Sequence, residues 1–345
     1  MSSASHPCLF THDAPGEFRA VATDADGRPC HIFIERWLGQ GGRARFGAVS
    51  NARLRKFADD VQGAFVELAS GEEAFLRLKS RDGLTEGTLC RVRVASEARR
   101  DKLARVARFE GAISDQSAFE LWRDQLPDKP VGEPIEDADY VASAIDDALS
   151  PSLSLPKGGR LHIERTRALT AVDIDTAGRA ARGSAGARAL AINSEAAQEM
   201  ARQISLRSLG GNVVLDCVGP LNAGSRDRLQ SVAQVAFKAH GLESAKSLKP
   251  SSLGLMEVSV PWRYMPLADQ IETAPAETEL LALLREAQRE TAANPMQLYE
   301  LSLGGGVWQT YLDRRTDADA AIQKHFGARL SVSESSNLGS RIRKR

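Results

Sequence analysis

Two short apolar runs that end in acid, with a helix-spaced stretch between them, constrain this chain more than any other feature. The first is Ala168-Leu169-Thr170-Ala171-Val172-Asp173-Ile174-Asp175 and the second is Asn212-Val213-Val214-Leu215-Asp216-Cys217. Both are short and rich in β-branched residues, the pattern of buried strands. Between them, residues 193–209 place Ala197, Met200, Ala201 and Ile204 at i, i+3, i+4 and i+7, which is one face of a helix. Gly210-Gly211 is expected to stop that helix. A strand, a helix and a second strand form a crossover unit, almost always right-handed with parallel strands. Asp216 is then expected beside Asp173 and Asp175 at the carboxyl edge of the sheet. Asp173 and Asp175 lie two apart, so they project from one face. Open α/β sheets bind their ligands at that edge. Three carboxylates there suit a hard, oxygen-seeking cation such as Mg²⁺.

The loop that follows Asp175, residues 176–191, is rich in Gly, Ala and Arg. Its Arg179, Arg182 and Arg188 suit a clamp on phosphate oxygens beside the carboxylates; the alternative is a flexible surface loop with ordinary arginines. Past Asp216, Ser225 reads as the N-cap of a helix that Gly241 ends, and residues 254–260 read as a further strand.

A second constraint lies upstream. Residues 43–109 hold five candidate strands, at 43–49, 64–68, 73–78, 90–94 and 103–109, separated by turns. Five short strands in so few residues predict a partly open barrel of the OB type. Alternation in residues 64–68 puts Ala64, Val66 and Leu68 inside and Phe65 outside. In 73–78 it puts Phe75 outside with Arg77, and in 90–94 it puts Arg91 and Arg93 outside. Exposed rings beside cations suit single-stranded nucleic acid, since bases stack on rings while cations track phosphates. An equal claim belongs to the plainer reading, in which the rings pack on a neighbouring domain. Between residues 43 and 108 there are 15 Lys/Arg against 9 Asp/Glu, a local basic excess that favours nucleic acid.

Composition narrows the rest. The 345 residues allow two or three domains, and the formal net charge is zero, so a nucleic-acid partner must be argued from local patches. Cys8, Cys30, Cys90 and Cys217 show no CxxC spacing, so no zinc is expected and a reducing cytoplasm is the expected location. No apolar run approaches the ~20 residues of a membrane helix, so no membrane partner is expected. The six histidines are dispersed and form no triad or metalloprotease motif. Near the N-terminus, residues 18–22 and 30–34 read as two strands joined by a turn. Between Glu110 and Ser150, 11 acids face 2 bases, which reads as an acidic connecting segment. Residues 275–345 read as a small α/β region whose last run, Arg341-Ile342-Arg343-Lys344-Arg345, is expected to be disordered and to meet phosphates non-specifically.

The run Gly158-Gly159-Arg160-Leu161-His162-Ile163-Glu164, continuing through residues 168–175, resembles the catalytic core of the RNase E/G endoribonucleases. So do Asn193-Ser194-Glu195-Ala196-Ala197, Leu209-Gly210-Gly211, Val213-Val214-Leu215-Asp216 and Gly254-Leu255-Met256-Glu257. The resemblance implies an α+β multidomain fold. Its parts are an OB-fold β-barrel RNA-binding module (39–110), an α/β deoxyribonuclease I-like catalytic subdomain (158–268) and remnant RNase H-like strands (1–38). The acidic connecting segment (111–157) and a small C-terminal α/β region (275–345) are its other parts. It further implies an Mg²⁺-dependent endoribonuclease in which Asp173 and Asp216 are catalytic and hold the metal, with Asp175 in support. Phe65, Phe75 and Lys102 fall on the family's RNA contacts, and Arg77, Arg179 and Arg182 are expected to join them on single-stranded RNA. The cysteine pair of the family's zinc link is absent: the corresponding position reads Val260-Pro261-Trp262-Arg263-Tyr264. The stretch before Gly158 is too short for the complete 5′-monophosphate sensor. An oligomer is possible, but not one linked by zinc. Two other readings stay open at this point: an RNA-binding adaptor that keeps the fold without cleaving, and a phosphodiesterase with another substrate.

Overall fold

The computed structural model describes residues 6–37, 43–78, 80–81, 83–100, 102–179, 183–336 and 339–345. The chain begins with three antiparallel strands, β1 (Leu9–Ala14), β2 (Glu17–Thr23) and β3 (Pro29–Arg36). Sequence reading found only the last two, because β1 carries Thr11, His12 and Asp13 and lacks clean alternation. The next five strands are β4 (Val49–Ala58), β5 (Gly63–Leu68), β6 (Glu73–Arg77), β7 (Leu89–Ser96) and β8 (Ala104–Arg108). They close into a barrel in the order β4-β5-β6-β8-β7, with β6 and β8 parallel. That topology is compatible with an OB-fold. The barrel is closed rather than partly open, since β4 pairs with both β5 and β7. Its first strand is not 43–49. Gly47 takes φ 85 and breaks that stretch, and β4 follows with Ala52 and Leu54 inward and Arg53 and Arg55 outward.

The acidic segment then re-enters the first sheet instead of linking domains. Helix α1 (Ala118–Asp124), capped by Ser117, buries Trp122 against Phe33. Strand β9 (Ile135–Glu136) pairs in parallel with β1, giving the order β3-β2-β1-β9. Helix α2 (Ala138–Leu149) turns Val141, Ala144, Ile145 and Ala148 onto Val21, Ile32 and Ile34. Its acids point outward, so charge composition alone concealed an ordinary amphipathic helix.

The carboxylate-bearing sheet follows. Its elements are β10 (Ser152–Ser154), β11 (Arg160–Arg165), β12 (Leu169–Asp175), α3 (Ala185–Leu206), β13 (Gly211–Asp216), α4 (Ala223–Ala239), β14 (Lys246–Ser247) and β15 (Leu255–Val260). Strand order is β10-β11-β12-β13-β15-β14, and β12 and β13 run parallel as the crossover requires. Helices α3 and α4 cover one face. Met200, Ile204, Leu215, Leu229 and Met256 are fully buried there, and each such side chain contributes about 1.5–3 kcal/mol. Helix α3 starts eight residues earlier than its apolar stripe suggests, because Ser184 caps it by accepting the Ala187 N–H. It ends where Ser208 takes φ 55, before the glycines. Helix α4 is capped by Asn222, not Ser225.

After α5 (Leu267–Glu272) and α6 (Pro275–Ala293) come β16 (Tyr299–Leu303), α7 (Gly305–Asp313), α8 (Arg315–Phe326), β17 (Leu330–Glu334) and β18 (Arg341–Lys344). The basic terminal run is thus a strand, antiparallel to β16, and not a disordered tail. Two junctions fix these units together. At the first, the Glu97 N–H donates to the Arg263 carbonyl at 2.8 Å, and its buried carboxylate accepts the N–H of Met265 at 3.0 Å and of Phe46 at 3.2 Å. The Arg99 guanidinium lies 4.2 Å over Trp262, whose ring rests on Gly210, where a Cβ would meet it at 2.8 Å. At the second, fully buried Glu17 is ringed by Arg19, Arg36 and Arg285. Burial alone would raise its carboxyl, but Arg19, Arg285 and Arg36 outweigh burial and hold it below the usual carboxylate range.

Candidate functional site: a carboxylate face and an aromatic barrel face

Strand β12 buries Val172 and Ile174 and exposes Asp173, while β13 buries Val213 and Leu215 and exposes Asp216. Their parallel register runs from Leu169 opposite Asn212 to Val172 opposite Leu215. One further step sets Asp173 beside Asp216, on strands about 4.8 Å apart. Both carboxylates stand on the sheet face away from α3 and α4. That face is open: Glu164, Ala171, Asn212, Leu255 and Glu257 on it are exposed too.

Asp175 is placed differently. Its Oδ1 accepts the Ala177 N–H at 2.8 Å, so the carboxylate caps the turn that leaves β12. Among the described residues no three His, Cys, Asp or Glu side chains converge on one point. The expected trio therefore reduces to a pair. Two exposed carboxylates on adjacent strands still fit Mg²⁺, which keeps several waters and takes one or two carboxylates plus substrate phosphates. Cys217 adds no ligand: burial, then neighbouring Asp216, pushes its thiol up to about 12.

Helix α3 braces both acid-tipped strands. Asn193 is fully buried; its Nδ2 donates to the Val218 carbonyl at 2.8 Å and its Oδ1 accepts the Val218 N–H at 2.9 Å. This pins the chain two residues past Asp216. Glu195 accepts the Lys157 N–H at 2.8 Å and pairs with Arg179 at 2.7 Å. Arg179 also donates to the Gly158 carbonyl at 3.1 Å. It is therefore a brace for the Lys157-Gly158-Gly159 turn, not a free phosphate clamp as expected. Arg188 lies within α3 and donates to the Gly183 carbonyl at 2.7 Å, while Arg182 lies outside the described residues. The bracing role of Asn193 went unread, although a signal existed: Asn193 falls four residues before Ala197, on the apolar stripe itself.

On the barrel, Phe65 and Phe75 are cross-strand partners on the outer face, both half-buried, with ring centroids 5.7 Å apart at 73°. Gly63 makes room for them, since a Cβ there would lie 2.3 Å from the Phe75 ring. Register extends the pair into a row. Lys56 sits opposite Phe65 on β4, and Arg105 opposite Phe75 on β8. The row reads cation, ring, ring, cation. Sequence reading singled out neither Lys56 nor Arg105, because only strand register reveals them. Arg77 is exposed on the same face of β6 as Phe75, and Lys102 is exposed in the turn between β7 and β8. Arg91 and Arg93 do point outward, but each has a neighbour: Arg91 donates to the Gly111 carbonyl at 2.7 Å and Arg93 stacks 3.6 Å from Phe109.

Among the described residues no helix is long and apolar enough to cross a membrane. The model of the ribonuclease E/G family matches residues 71–260, more than half of the chain. Ribonuclease G of Salmonella typhimurium is 31% identical over 160 residues, covering 44% of this chain and 32% of that protein. Ribonuclease E of Nostoc sp. is 35% identical over 128 residues, covering 36% of this chain and 18% of that protein. Ribonuclease G of Escherichia coli is also 35% identical over 128 residues, covering 37% and 26%. The chain spans about a third or less of the length of these curated relatives. The family match begins in the turn before β6, runs through both acid-tipped strands and stops at the last residue of β15, and on that evidence the chain belongs to the ribonuclease E/G family.

Proposed function

We propose that this chain is an Mg²⁺-dependent endoribonuclease acting on single-stranded RNA, in cytoplasmic RNA processing or decay. The observation that carries the reading is the register that sets Asp173 beside Asp216 inside the family-matched region. The names of the relatives add RNA cleavage to it. RNA lies across the barrel with bases on Phe65 and Phe75 and phosphates near Lys56, Arg105, Arg77 and Lys102. Asp173 and Asp216 hold Mg²⁺, which when bound supplies charge neutralisation at the scissile phosphate and a more acidic water. Asn193 and Glu195 keep the two carboxylates in register through Val218 and through the Lys157 turn. The exposed sheet face can admit an extended strand. The products are a 5′-phosphate and a 3′-hydroxyl.

The test is cleavage of a labelled A/U-rich RNA by the full chain with Mg²⁺ and with a chelator. Cleavage is expected only with the metal, and it is expected to vanish in the Asp173→Asn/Asp216→Asn protein while RNA binding persists. A wild type that binds RNA but never cuts it would instead mark an RNA-binding adaptor.

A further inference from the structure

The row across the open sheet face does not stop at the two aspartates. Antiparallel pairing of β11 with β12 sets His162 directly opposite Asp173, and pairing of β10 with β11 sets Ser152 opposite His162. Across the sheet the face reads Ser152, His162, Asp173, Asp216, Leu255. Leu161 and Ile163 are buried on the other side, so His162 projects onto the same face as Asp173. Directly opposed residues of antiparallel strands have Cβ atoms roughly 4.5–5.5 Å apart. His162 is half-buried, and its ring enters no hydrogen bond or ion pair among the described residues.

Nearby arginines have other partners. Arg160, opposite Asp175 on the same face, gives its Nε–H to Ser152 Oγ at 2.9 Å, on the strand beyond β11. Arg179 is held by Glu195 and the Gly158 carbonyl, and Arg165 by Asp269 at 2.9 Å. Asp173 and Asp216 as carboxylates only accept. A phosphodiester brought to that pair presents two non-bridging oxygens, to which neither carboxylate can donate. An imidazole carries an N–H donor in either protonation state.

We propose that His162 is a further catalytic residue, donating its ring N–H to a non-bridging oxygen of the scissile phosphate. This rests on the RNA-cleaving reading above. The donor aligns the phosphate over Asp173 and strengthens its bond as charge grows on that oxygen. Removing one such donor costs about 10²–10³ in rate in well-studied sites. His162→Ala is therefore expected to lower the saturated cleavage rate by at least about tenfold, with RNA affinity held by the barrel and unchanged within about twofold. His162→Gln, which keeps an N–H donor, is expected to recover most of that loss.

A second readout does not depend on turnover. In Asp216→Asn protein, ¹⁵N-labelled at histidine and saturated with a single-stranded RNA decamer and Mg²⁺, the His162 ring signal is expected to move. The signal is assigned by its loss in His162→Gln. Full activity in His162→Ala, or a His162 signal unmoved at saturation, overturns the inference. If the wild type never cuts RNA, the cleavage reading falls, and the His162 signal alone then decides whether the imidazole meets the phosphate.

Discussion

The barrel and the carboxylate sheet use one device to opposite ends. Each buries alternate residues of its strands and presents the others in a row that only register assembles. On the barrel the row is Lys56, Phe65, Phe75, Arg105. On the sheet it is His162, Asp173, Asp216, Leu255. The first row attracts a polyanion and stacks its bases, and the second repels a polyanion unless a cation intervenes. Under the proposed function, affinity and chemistry fall on surfaces of opposite sign. They belong to separate cores, joined through Glu97, Arg99 and Trp262. A chain built this way should lose cutting and holding independently.

The sharpest way to break that comparison is to remove the carboxylates. Asp173→Asn with Asp216→Asn is expected to lower cleavage by about 10³-fold or more, the several kcal/mol a bound metal contributes, with the RNA dissociation constant nearly unmoved in a filter-binding titration. A parallel loss of binding would show that the two faces are one site. Next in size is Phe65→Ala with Phe75→Ala. Each stacked base is worth about 1–3 kcal/mol, so affinity should fall about 5- to 150-fold per ring while the rate at saturating RNA survives. A collapse of that saturated rate would mean the rings help place the scissile bond.

Asn193→Ala probes the sheet alone. It strips partners from the Val218 N–H and carbonyl, costing about 1–3 kcal/mol of stability. Calorimetry should show a lower melting temperature, and cleavage should fall while barrel affinity holds. The smallest effect belongs to Lys56→Ala and Arg105→Ala. Each is expected to weaken binding a few-fold and to lower the slope of log affinity against log salt by about 0.7, one phosphate contact on a single strand. An unchanged slope would remove that residue from the RNA path.

Much of this was legible in the sequence because alternation survives without neighbours. It placed Phe65 and Phe75 outside the barrel, and the strand–helix–strand pattern placed Asp216 beside Asp173. Register did not survive, since it depends on which residue a second strand sets opposite. Lys56, Arg105 and His162 therefore stayed silent. Local signals also misled. Residues 185–191 read as loop because of their Gly and Arg, yet alanine is the best helix former and four of those seven residues are Ala. Residues 341–344 read as a loose basic tail, yet pairing with β16 makes them a strand, with Ile342 half-buried. Arg179 read as a phosphate clamp because its partner Glu195, sixteen residues on, cannot be inferred from a loop in isolation.

The interruption of the first sheet by the barrel has a consequence for how the protein is made. Strand β1 leaves the ribosome before the barrel, but its parallel neighbour β9 begins at Ile135, after the whole barrel has been synthesised. Glu17 on β2 waits longer still, for Arg285 on α6. The barrel's five strands pair only among themselves, so it can close during translation while the sheet that carries it stays unfinished. The first sheet therefore begins before the barrel and is completed after it, and until α6 emerges Glu17 lacks one of its three guanidinium partners. A product cut short after the barrel would carry a closed barrel on an open sheet, exposed to proteolysis in β1–β3 and not in the barrel.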